Sequence, residues 1–245
     1  MDCKPDVSKL DALIGKGTDV VNDDCCPKDE LTEAFSNEYS LLHGQKMKSE
    51  STYVLHVTGN SENSIAVALS DYTLSIHDLE GGFQRSCYGH DKSITGLRFS
   101  PKNPFLFYSS SLDATIKLWD LREKDKNVAE FKGCWKDDEG GTAELAISAF
   151  DICNIDRLLV GGTECYVDDT FLLFWDIRAP GSKPMGGYWE SHTQDITQVK
   201  FHPSKPDLLA SGSMDGLINI YDIRQSCEDD ALTTSLNTDS TVVSQ

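Results

Sequence analysis

None of the eight cysteines (Cys3, Cys25, Cys26, Cys87, Cys134, Cys153, Cys165 and Cys227) stands in a C-x-x-C pair. Structural zinc sites draw two ligands from one tight turn, so no spacing here supports one. No run approaches the roughly 20 apolar residues of a membrane-spanning helix. Residues 1–10 hold no apolar core of a secretory leader. Positive charge is scarce: 22 Lys and Arg face 40 Asp and Glu, a formal net charge of −18. Such a surface repels phosphate backbones and argues against nucleic acid as a direct partner. It suits a basic protein or a Lys/Arg-rich tail, and it serves solubility equally well. No G-x-S-x-G elbow, phosphate loop or H-E-x-x-H is present, and Gly161-Gly162-Thr163 fits a strand-edge turn better than a phosphate cradle. These absences point to a reduced cytoplasmic or nuclear protein with free, buried thiols and no metal, cofactor or membrane anchor.

What is present divides the chain in two. At 39% hydrophobic and 25% charged the whole is too apolar for general disorder. Residues 1–50 nevertheless are rich in Asp, Glu, Lys and Ser, and read as an acidic, mostly disordered arm. Within it Leu31, Ala34, Phe35, Tyr39 and Leu42 carry a helical spacing that could seat a short amphipathic helix.

From residue 51 the texture is all-β and repetitive. Residues 113–122 read D-A-T-I-K-L-W-D-L-R, residues 169–178 D-T-F-L-L-F-W-D-I-R, and residues 215–224 D-G-L-I-N-I-Y-D-I-R. Residues 71–79, D-Y-T-L-S-I-H-D-L, are a weaker copy. The second Asp falls at 78, 120, 176 and 222, in steps of 42, 56 and 46 residues. Upstream, residues 94–101 (I-T-G-L-R-F-S-P) and 196–203 (I-T-Q-V-K-F-H-P) alternate apolar and polar as half-buried strands do. A turn and a second apolar run follow each, over residues 105–110 and 208–213. One unit is therefore strand, turn, strand, turn, strand and a looser fourth strand, with W-D at the end of the third.

This pattern resembles the WD-repeat β-propeller family over roughly residues 52–245, and the segments at 162–176, 197–204, 213–223 and 228–232 look like one subgroup of it. The resemblance implies a hydrogen-bonded tetrad stitching the strands of each blade. Blade two fits in full, with His90 after Gly89, then Ser109, Asp113 and Trp119. Blade four supplies His192, Ser211 and Asp215, with Tyr221 in place of the Trp. Blade three keeps Asp169 and Trp175, but Cys165 stands where the Ser is expected and no G-H precedes it. Blade one has Asp71, with Val67 and His77 at the other positions. These departures suggest looser outer blades. The chain closes on residues 241–245, T-V-V-S-Q, which read as the start of a further first strand. Closed rings take typically 4 to 8 blades, and the family usually has seven. Four repeats imply a partial propeller, an incomplete ring from a truncated isoform or an incomplete gene model.

Ser, His and Asp could also suggest a hydrolase, but a nucleophile needs an exposed oxygen and an oxyanion pocket, and here the three recur at blade spacing in interior turns. The resemblance implies a non-enzymatic scaffold for protein partners. Each W/Y-D-x-R end places an Asp and an Arg on one side of a strand end, giving Arg122, Arg178 and Arg224. They form a local charge pair or, as in WD-repeat substrate receptors of cullin-RING ubiquitin ligases, a contact for the ligase adaptor. The long step of blade three adds residues 136–141 (K-D-D-E-G-G) and 165–168 (C-Y-V-D). An acidic loop there beside Trp135 could hold a basic peptide or be an idle insertion. An interaction scaffold and a fragment of one are the two functional classes left open, with an enzyme a distant third.

Overall fold

The computed structural model describes residues 51–123, 126–136, 141–179, 183–190 and 192–243. All of these fall in the compact unit Leu42–Gln245. The acidic arm of residues 1–50, with its helical spacing, lies outside the described residues, as do Asp137, Asp138, Glu139 and Gly140 of the acidic loop.

Four four-stranded antiparallel sheets follow one another, each strand hydrogen-bonded to its chain neighbours. Blade one is β1 (Val54–Gly59), β2 (Ser64–Leu69), β3 (Leu74–Asp78) and β4 (Gly82–Cys87). Blade two is β5 (Ile94–Phe99), β6 (Leu106–Ser111), β7 (Thr115–Asp120) and β8 (Ala129–Lys132). A two-stranded insertion follows, β9 (Cys134–Lys136) with β10 (Thr142–Glu144). Blade three is β11 (Ile147–Ile152), β12 (Leu158–Thr163), β13 (Leu172–Asp176) and β14 (Gly186–Tyr188). Blade four is β15 (Ile196–Phe201), β16 (Leu208–Ser213), β17 (Leu217–Asp222) and, after the short helix α1 (Glu228–Ala231), β18 (Leu232–Asn237). The ring is open. Among the described residues no helix is long and apolar enough to cross a membrane.

The tight turns between second and third strands have a common mechanism. In blades one, two and four the carboxylates of Asp71, Asp113 and Asp215 accept the backbone amide two residues on, at 3.2, 3.0 and 2.9 Å. The residue between takes a left-handed conformation: Tyr72 at φ 66°, Ala114 at φ 64° and Gly216 at φ 83°. Asp is suited to such turns because its side chain mimics a backbone acceptor. Only Gly takes that conformation without strain, so blades one and two carry a small cost that blade four avoids.

The core lies at the seams between blades. One cluster joins Leu74 and Ile76 of blade one to Phe99, Phe107 and Trp119 of blade two. A second joins Tyr108, Ile116 and Phe131 to Phe150, Leu173 and Trp175. A third joins Val160, Phe174 and Tyr188 to Val199, Leu209 and Tyr221. A third strand with a neighbour on each face is buried continuously, as in β7 and β13. In β17 Ile218 and Ile220 are only half-buried while Asn219 and Tyr221 are buried; among the described residues no further sheet packs on the outer face of blade four.

Two further devices lock neighbouring inner strands. The second residue of each donates a hydroxyl to the first carbonyl of the next blade: Thr95 to Ile147 (2.7 Å), Ser148 to Ile196, and Thr197 to Val242 (2.6 Å). Val242 thus takes the seat of Ile147 and Ile196, although residues 241–243 form no strand. Small residues at the fifth position of the second strand (Ala68, Ser110, Gly162, Gly212) let these strands approach.

Two sequence expectations are corrected here. Gly161 and Gly162 are not in a turn; they lie inside β12, opposite Leu173 and Leu172. Nor are the free thiols all buried: Cys87 and Cys153 are, but Cys165 and Cys227 are exposed.

A methyl group at Gly162 would overlap Ile196, 2.9 Å from its Cβ, and meet Val199 at 3.0 Å. Gly162→Ala is therefore expected to cost about 1–3 kcal/mol, as overpacking of a fitted interior does. A denaturant midpoint equal to wild type contradicts this packing.

Candidate protein-binding surfaces and the networks beneath them

The polar network of blade two is complete. Trp119 Nε1 donates to Ser109 Oγ (2.8 Å), and Ser109 Oγ pairs with His90 Nε2 (2.7 Å). His90 Nδ1 faces Asp113 Oδ2 (2.8 Å). The carboxylate fixes the tautomer: Nδ1 carries the proton and Nε2 accepts from the serine hydroxyl. Asp113 also accepts the Asp91 amide (3.2 Å) and the Thr115 hydroxyl (2.6 Å). Burial disfavours its charge, but these donors outweigh burial and hold its carboxyl far below the usual range.

Blade four repeats the arrangement with one change. His192 Nε2 pairs with Ser211 Oγ at 2.7 Å and His192 Nδ1 with Asp215 at 3.1 Å. Tyr221 fills the Trp position and is fully buried, its ring stacked on Tyr188 of blade three with centroids 5.3 Å apart.

Blade three departs further than its sequence suggests. The strand register puts Gly161, not Cys165, at the position that Ser109 and Ser211 hold in their blades. Trp175 is fully buried with its Nε1 unpaired, and a methyl on Gly161 would come within 3.1 Å of its ring. Asp169 is exposed and no part of a network; its backbone closes a turn with Tyr166 through two hydrogen bonds of 2.8 and 3.1 Å. At the tip Val167 and Asp168 take φ 50° and 70°. In blade one His77 Nε2 pairs with Ser75 at 2.8 Å, a local substitute.

The three arginines form one repeated geometry. Arg122 Nε and Nη2 lie 2.9 and 2.7 Å from the two oxygens of Asp120. Arg178 does the same on Asp176 at 2.9 and 2.6 Å, and Arg224 grips Asp222 through the same two nitrogens. The guanidinium hydrogen bonds pull the carboxyls of Asp176 and Asp222 down to about 2. The side chains of Arg122, Arg178 and Arg224 remain 61, 65 and 68% exposed, so each fork is committed locally while its outer edge stays in solvent.

The family model for the WD domain, G-beta repeat, matches residues 81–120 and 184–222. The WD repeat-containing protein GTS1 of Arabidopsis thaliana is 31% identical over 79% of this chain and 47% of its own. The WD repeat-containing protein 89 homolog of Dictyostelium discoideum is 26% identical over 85% of this chain and 52% of its own. The chain carries WD repeats. A chain in the crystal structure of the mitotic checkpoint complex shares the fold, with a TM-score of 0.62 at 21% identity over 79% of this chain and 54% of that one. The chain spans about half the length of the curated relatives it matches. The two matched WD repeats end at Asp120 and Asp222, in the two blades that hold the His–Ser–Asp networks. Each begins near the last strand of the preceding blade, so a WD repeat in sequence straddles two blades in space.

Sequence reasoning missed two connectors. Asp151 is fully buried on β11; it pairs with Arg98 of blade two and accepts the Phe201 amide of blade four at 2.7 Å. Burial raises its pKa, against the opposing pull of Arg98. Glu228 of α1 accepts the Trp189 amide at 2.6 Å and the Glu190 amide at 3.1 Å, clamping blade four to the rim of blade three. Neither has a local sequence signature.

The buried His192 imparts a pH dependence. Burial lowers its pKa from the ordinary 6.5, against the pull of Asp215. The folded state therefore disfavours the imidazolium that the unfolded chain forms near pH 6.5, so this stability is full above that pH and is lost as pH falls. Asp215 acts in the same direction: its folded pKa lies below the ordinary 3.8, and its contribution disappears under strong acid. The melting temperature is expected to drop between pH 7 and 5, and to drop less in His192→Gln. An equal drop in both proteins contradicts this assignment.

Proposed function

We propose that this chain is a non-enzymatic scaffold for protein–protein interaction, working in the cytoplasm or nucleus. The observation that carries the reading is the fate of the catalytic-looking His–Ser–Asp sets of blades two and four, in which Ser109 and Ser211 are both fully buried. Ser109 Oγ is fully buried, accepts from Trp119 and is paired with His90. Such a hydroxyl has no approach for a substrate. The blades instead form a rigid frame that presents strand ends, the inserted hairpin and the turn at residues 165–169 to solvent, where binding residues are commonly carried. A net charge of −18 favours a partner rich in Lys or Arg over nucleic acid.

The finer form of the reading is a substrate receptor for a cullin-RING ubiquitin ligase, with Arg122, Arg178 and Arg224 meeting the ligase adaptor. Their exposure and repetition on three blades support it. The bidentate grip of each on its own Asp supports the alternative, a clasp that ends the strand.

Affinity purification of the wild type and an Arg122→Ala/Arg178→Ala/Arg224→Ala variant separates these. A ligase adaptor that co-purifies with wild type and is lost from the variant supports the receptor; its absence from both removes it. Ser109→Ala tests the broader reading. Leaving the Trp119 donor and the His90 acceptor unpaired is expected to cost about 1–3 kcal/mol of stability. Hydrolysis of p-nitrophenyl acetate stays at background in both proteins. A wild-type rate abolished by Ser109→Ala contradicts the scaffold.

A further inference from the structure

The inserted hairpin and the outer strand of blade three leave an apolar hollow of ≈ 490 Å³ facing blade four. Trp135, Phe174, Met185, Trp189 and Ile223 line it. Trp135 rests on Phe171 with centroids 5.3 Å apart and meets Trp189 at 4.9 Å. Phe171 is buried, so the Trp135 side of the wall has a packed backing. Met185 and Trp189 are nevertheless 69 and 41% exposed, and a side chain at Gly186 would meet nothing within 4 Å. A flexible thioether beside two indoles is an adaptable apolar lining, and exposed apolar clusters rimmed by polar groups mark binding sites.

Among the described residues the rim carries more negative than positive charge, with Arg157 beside the lining residue Leu158 exposed on the other side of the balance. Glu228 lies against the Trp189 and Glu190 amides. Glu190 is exposed, as are Asp229 and Asp230, which follow Glu228 in the sequence. Arg224, next to Ile223, is committed to Asp222. Lys183, two residues before Met185, is exposed and of opposite sign, against four carboxylates. The negative surroundings also show in Tyr188, whose hydroxyl pKa is raised by burial first and then by Glu228.

We infer that this hollow is the docking site for a partner segment carrying one bulky apolar side chain flanked by Lys or Arg. The apolar side chain seats against Trp135, Met185 and Trp189, an aromatic anchor of the kind that dominates interface energies. The flanking cations meet Glu190, Glu228, Asp229 and Asp230, which select charge and speed encounter. The inference rests on the scaffold reading and gives it a place and a partner chemistry.

The probe is a phage-displayed random dodecapeptide library, panned on the immobilised full chain. Enriched peptides are then titrated by fluorescence anisotropy against wild type, Met185→Lys and Glu190→Lys, with melting curves confirming that both variants fold. Enriched peptides are expected to place Leu, Phe, Trp or Met beside Lys or Arg, and either substitution to weaken them about tenfold or more. Peptides that bind both variants as tightly as wild type overturn the hollow while leaving the scaffold standing. Enriched peptides without basic residues overturn the partner chemistry. A library that yields no binder contradicts hollow and scaffold together. A concentration-dependent dimer in sedimentation, abolished by Met185→Lys, assigns the hollow to a second copy and overturns the inference.

Discussion

A four-stranded sheet with two apolar faces cannot stand alone in water, and every other feature of this molecule follows from giving each blade a neighbour. A small sheet buries too little surface to offset its ordering entropy. Stacking blades face to face turns each apolar face into half of a shared core, which is why the three clusters lie at the seams and not inside any blade. The burial patterns record the consequence. β7 and β13, each with a neighbouring sheet on both sides, are buried almost throughout, while β17, with one neighbouring sheet among the described residues, alternates between buried and half-buried residues.

Apolar seams are non-directional, so polar contacts fix how the blades align. The Trp–Ser–His–Asp network in blade two runs from the third strand, through the second, to the segment entering the first, and holds these pieces at one register. At a net ~1 kcal/mol per hydrogen bond it contributes a few kcal/mol and sets geometry more than stability. The hydroxyls of Thr95, Ser148 and Thr197 act in the same way between blades. Asp151 extends this across three blades. Where the network is missing, as around Trp175, the ring stays buried by packing against Gly161 and the neighbouring blade, and its N–H is left without a partner.

The strands and turns were legible because they depend on local chemistry. Alternation marked β5 and β15, and an Asp six residues before an aromatic marked the turn into β7, β13 and β17. The networks of blades two and four were legible from the same offsets. Blade three misled because Gly161 and Trp175 stand 14 residues apart, four more than the equivalent pairs Ser109 and Trp119 or Ser211 and Tyr221. Counting four back from Asp169 reaches Cys165, whereas counting by strand register reaches Gly161. Gly161 and Gly162 resembled a turn because glycine is permissive; they are in a strand because Trp175 and Ile196 fill the space a side chain would need. Asp151 and Glu228 were invisible because their partners lie about fifty and about forty residues away, at spacings no repeat predicts.

The division of labour follows from the same constraint. Residues that pack or align blades are inside, so the surfaces proposed for binding are what the frame leaves outside: the committed but exposed arginines, the turn at residues 165–169 and the hollow beside Trp135. The central claim, that stability comes from blade-to-blade seams, is tested most directly by native-state hydrogen exchange resolved by strand. Amides of β6, β7, β12 and β13, in the two blades covered on both faces, should exchange slowest, and those of β1 and β18 fastest. Uniform protection, or protection greatest in β17 and β18, would contradict it.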